Sequence, residues 1–220
     1  MGDGMKILVI GAHPDDEVYG CGGTIARLSK EGHVVYVLIV SEGSTAQYED
    51  KSMITKKREE AEKAKSILGI KEYVFGDFPD MKLDTVPHID LNKFISETVS
   101  RIKPEWIFTH SPLDLNKDHR VVYHSTMVVA RPQVDYVKRI LCYEVPSTTE
   151  LGEEPFKPEV FIDVSEYLQK KSEAINAYKT ELREFPHGRS IEAIEALAKC
   201  RGYASNCRYA EAFTVAREKI

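Results

Sequence analysis

The chain is predicted to be an α/β protein, a three-layer sandwich whose mostly parallel sheet carries helices on both faces. Three observations predict it. Strand-like and helix-like segments alternate from Lys6 onward, the pattern of βαβ units. The strand-like runs, such as Lys6-Ile7-Leu8-Val9-Ile10 and the stretch from His33 to Val40, are apolar on both faces, which suits strands buried between two layers. No repeat, low-complexity stretch or Gly/Ser linker divides the 220 residues, so a single domain over 1–220 is expected.

Lys6 to Ile10 reads as the first strand. A helix from Thr24 to Glu31 stops at Gly32, since glycine takes the left-handed conformation that ends helices. His33 to Val40 is the second strand. Met53 to Leu68 is helical and ends at Gly69, Tyr73 to Phe75 is the third strand, and Asp90 to Ile102 is a helix halted before Pro104. Trp106 to Thr109 is the fourth strand. A helix from His119 to Ala130 follows, with Val121, Val122, Ser125, Val128 and Val129 as its inner stripe. Ile140 to Glu144 is the fifth strand. The remainder reads as a strand (Val160 to Asp163), helices Glu166 to Thr180 and Ile191 to Lys199, and a strand near Phe213 to Ala216. In a doubly wound sheet of order 3-2-1-4-5, strands one and four meet at the topological switch point, where ligands bind beyond the strand C-termini. Chemistry is therefore expected in the loops after Ile10 and Thr109.

Composition narrows the function. Apolar residues make up 42% and charged residues 30%, an ordinary globular balance. A net charge of −5 argues against nucleic acid as the main partner. The four cysteines form no CxxC pair and read as reduced thiols of a cytoplasmic protein. No apolar run approaches the ~20 residues of a membrane span. The start, Met1-Gly2-Asp3-Gly4-Met5, has no secretory pattern, and Met5 marks the natural beginning of the fold.

The first loop is Gly11-Ala12-His13-Pro14-Asp15-Asp16-Glu17, and the second runs from His110 through Asp114, Asn116 and Asp118 to His119 and Arg120. His13 and Asp16, three apart at a helix start, can face one point. Imidazole and carboxylate suit Zn²⁺, and a third ligand from the second loop, His119, leaves a fourth position for water. Asp15, left free beside the cation, can accept a proton from that water. Pro14-Asp15-Asp16-Glu17 is also an ordinary helix start, with proline at the first position and acids near the positive end of the dipole. Crowded carboxylates favour a cation, as does the second His/Asp cluster at the neighbouring loop. Dinucleotide binding fails: it needs G-x-G-x-x-G after strand one, whereas Gly20, Gly22 and Gly23 come too late and read as close-packing positions.

The run Ala12-His13-Pro14-Asp15-Asp16-Glu17 matches the AHPDDE motif of the LmbE-like, or PIG-L, family of zinc N-acetylglucosaminyl deacetylases, and Asp118-His119 is similar to that family's second motif. The resemblance runs over nearly the whole chain. It implies a Rossmann-like fold, a catalytic Zn²⁺ (Fe²⁺ being an alternative) and hydrolysis of an N-acetyl group on a glucosamine-type sugar or its conjugate. It implies His13, Asp16 and His119 as ligands, Asp15 as general base and Asp118 as a group that orients a neighbouring side chain. Many members have His where this chain has Asn116, which donates a hydrogen bond but carries no charge; His187 or His110 can substitute, or Asp15 can return its own proton to the amine.

Arg58 shares a helix face with Ile54, Ala61 and Leu68. It resembles a substrate-contacting arginine in the family's Arg-Glu-Glu-Ala setting; a structural ion pair is the other reading. Asp80, after Pro79, resembles an aspartate that binds sugar hydroxyls, or is a turn residue. His187, in Phe185-Pro186-His187-Gly188-Arg189-Ser190, sits on a loop able to close over the pocket, to reach a neighbouring subunit, or simply to lie on the surface. His110 reads as a core histidine. The expected partner is an N-acetylated amino sugar, without nucleic acid or membrane, in a homo-oligomer. The alternatives are a zinc amidase on another N-acyl compound and a non-catalytic sugar-binding relative.

Overall fold

The computed structural model describes residues 4–219; the reading of the leader at Met1 to Asp3 and the extreme ends of the expected 1–220 domain lie outside them. Seven strands form one sheet: β1 (Lys6–Gly11), β2 (Val34–Ser41), β3 (Glu72–Phe78), β4 (Trp106–His110), β5 (Arg139–Tyr143), β6 (Val160–Asp163) and β7 (Ala210–Glu218). Their order is β3-β2-β1-β4-β5-β7-β6. The first five strands are parallel and in the expected sequence, while β7 runs antiparallel to β5 and to β6. Six helices accompany them among the described residues: α1 (Asp16–Lys30), α2 (Ser52–Leu68), α3 (His88–Ile102), α4 (Lys117–Val129), α5 (Leu168–Ala177) and α6 (Ile191–Ser205).

Strand alternation explains the layers. Ile7 and Val9 of β1 join the core formed with α1, α2 and α5, whereas Leu8 and Ile10 join the opposite core with α3 and α4. All four are fully buried, each contributing about 1.5–3 kcal/mol. From Ile7 onward doubly buried β1 thus has no polar position to offer until it leaves the sheet, and the first polar side chain after it is His13. The α4 stripe departs from expectation. Its inward residues are Asp118, His119, Val122, Ser125 and Thr126, and Val128 faces outward, because the polar pair at its start turns toward the site. No helix among the described residues is long and apolar enough to cross a membrane.

Helix α1 starts at Asp16, not near Thr24, and is broken at Cys21 (φ −147°, ψ 29°). A methyl group at Gly20 would overlap the Tyr143 ring, so the helix lies close over β5 there. The break frees backbone groups that a buried ion pair satisfies. Lys171 Nζ donates to Tyr19 O at 2.8 Å and to Glu211 at 2.6 Å, and Glu211 accepts from Gly23 N (2.9 Å) and Thr24 N (2.6 Å). Lys171→Met strands the Glu211 carboxylate in the interior, and removing one partner of such a pair costs about 3–5 kcal/mol. Urea denaturation is expected to show that loss; an unchanged midpoint would contradict the pairing.

Candidate active site

The loops leaving the five parallel strands, helix α2 and the segment between α5 and α6 line a cavity of about 290 Å³. The site begins at Asp16, fully buried at the start of α1. Its Oδ2 accepts from His13 N at 2.7 Å, and its Oδ1 lies 3.3 Å from His119 Nε2. Burial alone would raise the Asp16 carboxyl, but His119 above all holds it well below the usual carboxylate range. His119, at the start of α4, turns Nδ1 toward Asp114 Oδ2 at 3.2 Å. Asp114 is anchored in turn by the hydroxyls of Thr148 (3.0 Å) and Thr149 (2.5 Å) and by Asn116 N (2.8 Å). Burial lowers the basicity of His119, yet Asp16 and Asp114 carry it up to about 9. His13 is treated likewise. Nε2 lies 3.2 Å from Asp118 and 3.4 Å from Asp80, Nδ1 lies 3.5 Å from Asp16, and against burial these carboxylates raise it to about 10.

His110 stacks on His119 with ring centroids 3.9 Å apart and accepts the Ala12 N–H on Nε2 at 2.9 Å. Burial, then the neighbouring His119, push it down to about 4, so it is a neutral wall of the site.

Asp15 follows Pro14 with φ 127°. A non-glycine residue there is strained, and the strain aims its carboxylate into the cavity. Glu17 holds the backbone: its Oε2 accepts Asp15 N at 3.2 Å, and its Oε1 accepts the hydroxyls of Tyr73 (2.7 Å) and Tyr178 (2.6 Å). Asp15 Oδ2 accepts from Arg189 Nη1 at 3.0 Å. Arg189 also pairs with Glu181 (2.8 Å), which pairs with Lys57 (2.7 Å). Burial pushes the Asp15 carboxyl up to about 7 against the pull of Arg189, with Glu181 and Asp16 adding to the rise. Two other non-glycine residues of positive φ, Met81 (53°) and Ser147 (82°), also line the cavity, whereas Lys103 and Asn206 merely end helices. Strained backbone thus gathers where pre-organisation is useful.

Among the described residues, two groups of side chains can hold a metal ion: His13, Asp16 and His119, and His13, Asp80 and Asp118. The first fits a cation on a further observation. Asp16 Oδ1 and His119 Nε2 are buried with no hydrogen-bond partner among the described residues, though such groups are normally satisfied. An ion bridging them would remove that cost, and imidazole plus carboxylate is a donor set for Zn²⁺ or Fe²⁺.

The PIG-L family model, described as GlcNAc-PI de-N-acetylase, matches residues 8–130, more than half of the chain and both loops just described. The chain belongs to the PIG-L family. Among its PIG-L relatives is the uncharacterized deacetylase YaiS of Escherichia coli K12, 33% identical, with 79% of this chain and 90% of YaiS covered. The diacetylchitobiose deacetylase of Thermococcus kodakarensis is 25% identical, with 95% and 82% covered. The crystal structure of GalB, the 4-carboxy-2-hydroxymuconate hydratase of Pseudomonas putida KT2440, superimposes with a TM-score of 0.80 at 24% identity over 98% of each chain, which shows the shared fold.

Set against the sequence expectations, this PIG-L site brings His13, Asp16, His119, Asp15 and Asp118 together. Asp118 lies beside His13 and also accepts Leu83 N at 3.0 Å. Asn116 caps α4, its Oδ1 accepting Asp118 N at 2.9 Å; its Nδ2, 3.6 Å from Met81 Sδ, remains as a donor at the cavity wall. Asp80 and His187 line the cavity. Arg58 is not among the residues that line it and makes the ion pair that is the other reading. It pairs with Asp77 at 2.6 Å and lies over the Phe75 ring, while its neighbour Lys57 is the buried, cavity-lining base of α2. Sequence reasoning missed Lys57, Asp114, Glu181 and Arg189. Two of these had a signal: Asp114 lies in the second His/Asp loop, and Arg189 is the lone guanidinium in the loop singled out around His187.

Proposed function

We propose that the chain is a metal-dependent hydrolase that removes the acetyl group from an N-acetylglucosamine-type sugar or its conjugate, with residues 1–220 acting as one domain. The observation that carries this is Asp15, a buried carboxylate strained into the cavity beside His13, Asp16 and His119. The names of the deacetylase relatives support it. His13, Asp16 and His119 would hold the ion, Zn²⁺ or Fe²⁺. When bound, such an ion supplies Lewis acidity, polarising an amide carbonyl and lowering the pKa of water. Asp15, with Oδ2 tied to Arg189, takes the proton of the attacking water on its other oxygen and returns it to the nitrogen as the C–N bond breaks, yielding acetate and the free amine. Asp118 fixes the His13 ring, and Asn116 Nδ2 donates toward the carbonyl oxygen as negative charge develops there. Asp80 and His187 meet sugar hydroxyls.

The test is acetate release from methyl N-acetylglucosaminide. Turnover is expected, is lost with a chelator and returns with added Zn²⁺ or Fe²⁺. Arg58→Ala, outside the cavity, is expected to leave kcat/KM within about twofold, as surface changes do. Absence of acetate release by the metal-loaded protein would overturn the reading. The homo-oligomer that goes with it is read by sedimentation velocity.

A further inference from the structure

Resting on that deacetylase reading, we infer that the substrate bears an anionic substituent, a carboxylate or phosphate, beyond its acetylated ring, and that Arg183 at the cavity mouth binds it. Lys57, Arg183 and Arg189 are the Lys and Arg side chains that line the cavity among the described residues. Two are already neutralised. Lys57 is buried against Glu181, and Arg189 lies between Asp15 and Glu181. Arg183 is exposed and has no ion pair among the described residues. It is nevertheless held in place, because Nη1 donates to Thr180 O at 3.0 Å and Leu182 O at 2.9 Å. A guanidinium has five donors, so Nε and Nη2 remain to meet a ligand from a fixed position, the geometry in which arginine recognises carboxylate and phosphate.

The rest of the mouth agrees. His187 accepts Arg189 N on Nδ1 at 3.1 Å, which leaves Nε2–H as a further donor. No Phe, Tyr or Trp lines the cavity among the described residues; Gln47, Met81, Asn116 and Ser147 complete its mouth. A second sugar ring would find no phenyl, phenol or indole face to stack on, whereas a short charged group finds donors. The volume of about 290 Å³ is at the lower end for ligand pockets and suits one ring with a small substituent. The buried carboxylates Asp15 and Asp80 lie deeper, so an anion is favoured at the mouth and disfavoured at the floor. This polarity also orients the sugar, with its neutral amide inward.

The experiment compares three N-acetylglucosamine derivatives of similar size: the methyl glycoside, the carboxymethyl glycoside and the 1-phosphate. For the wild type, kcat/KM for at least one anionic compound is expected to exceed that for the methyl glycoside by about tenfold, the order of one charge-assisted hydrogen bond, chiefly through KM and less so at high salt. Which anion shows it identifies carboxylate or phosphate as the ligand. Arg183→Met is expected to bring the ratio to about one, and Arg183→Lys to retain part of it. A wild-type ratio near one, or a ratio that survives Arg183→Met, would overturn the inference. If none of the three releases acetate, the deacetylase reading fails by itself. Calorimetric binding of glucosamine 1-phosphate, carboxymethyl glucosaminide and methyl glucosaminide then decides on Arg183: tighter binding of an anion that Arg183→Met abolishes upholds it, and equal binding of all three removes it.

Discussion

Asp15→Asn is expected to lower kcat by about 10²–10⁴-fold, the usual contribution of a positioned general base, while the protein stays folded and keeps its metal. The substitution isolates the proton acceptor. Asparagine has nearly the same shape, is among the residues that tolerate positive φ and so fits the 127° backbone of this position. Arg189 would lose one carboxylate but keep Glu181 at 2.8 Å. The change also relieves the burial that drives the Asp15 carboxyl up to about 7, so melting is expected near that of the wild type. Steady-state kinetics on methyl N-acetylglucosaminide, with bound metal quantified in the same samples, provide the check. A kcat within about threefold of wild type would show that some other group takes the proton. A loss accompanied by loss of metal would show that Asp15 is a ligand instead.

The polar site residues of one local segment were legible, and those that depend on distant partners were not. His13, Asp15 and Asp16 declare themselves because a doubly buried strand ends and three polar residues follow at once; the switch-point argument then points to His119, which lies 3.3 Å from Asp16. Helix α1 was misplaced at its start because glycines at 20, 22 and 23 weigh against a helix by propensity. In the fold they let the helix pack close to Tyr143 and Val164, a tertiary gain that local preference does not contain. In α2, the spacing of Ile54, Ala61 and Leu68 predicts an inward Arg58. The buried set is Lys57, Glu60, Ala61, Ala64 and Leu68. Two of its members are charged and find their partners, Glu181 and Thr180, more than a hundred residues away. An apolar pattern cannot register a helix whose inner face is partly ionic. The same limit hides Arg189, whose tie to Asp15 spans 174 positions.

Loading the cation-free protein with Zn²⁺ is expected to raise its melting temperature by roughly 5–10 °C when free metal is about 100 times Kd, because ~2.7 kcal/mol of linkage translates at ~2–4 °C per kcal/mol for a domain of this size. Without a cation, the cluster answers its own carboxylates with protons: Asp16 and its neighbours hold the His119 imidazole up to about 9 and the His13 imidazole up to about 10. A cation replaces those protons and ties together two buried atoms that otherwise lack partners. The choice of atoms is testable because His13 stands between both candidate groups. If the ion sits with Asp16 and His119, then Asp16→Asn and His119→Ala abolish the Zn²⁺-dependent rise in melting temperature, whereas Asp80→Asn leaves most of it. The reverse pattern, with the rise surviving His119→Ala but lost in Asp80→Asn, would place the ion on the far side of the His13 ring. Asp15 would then have no cation of that first group beside it, and the hydrolytic reading would lose its chemical basis.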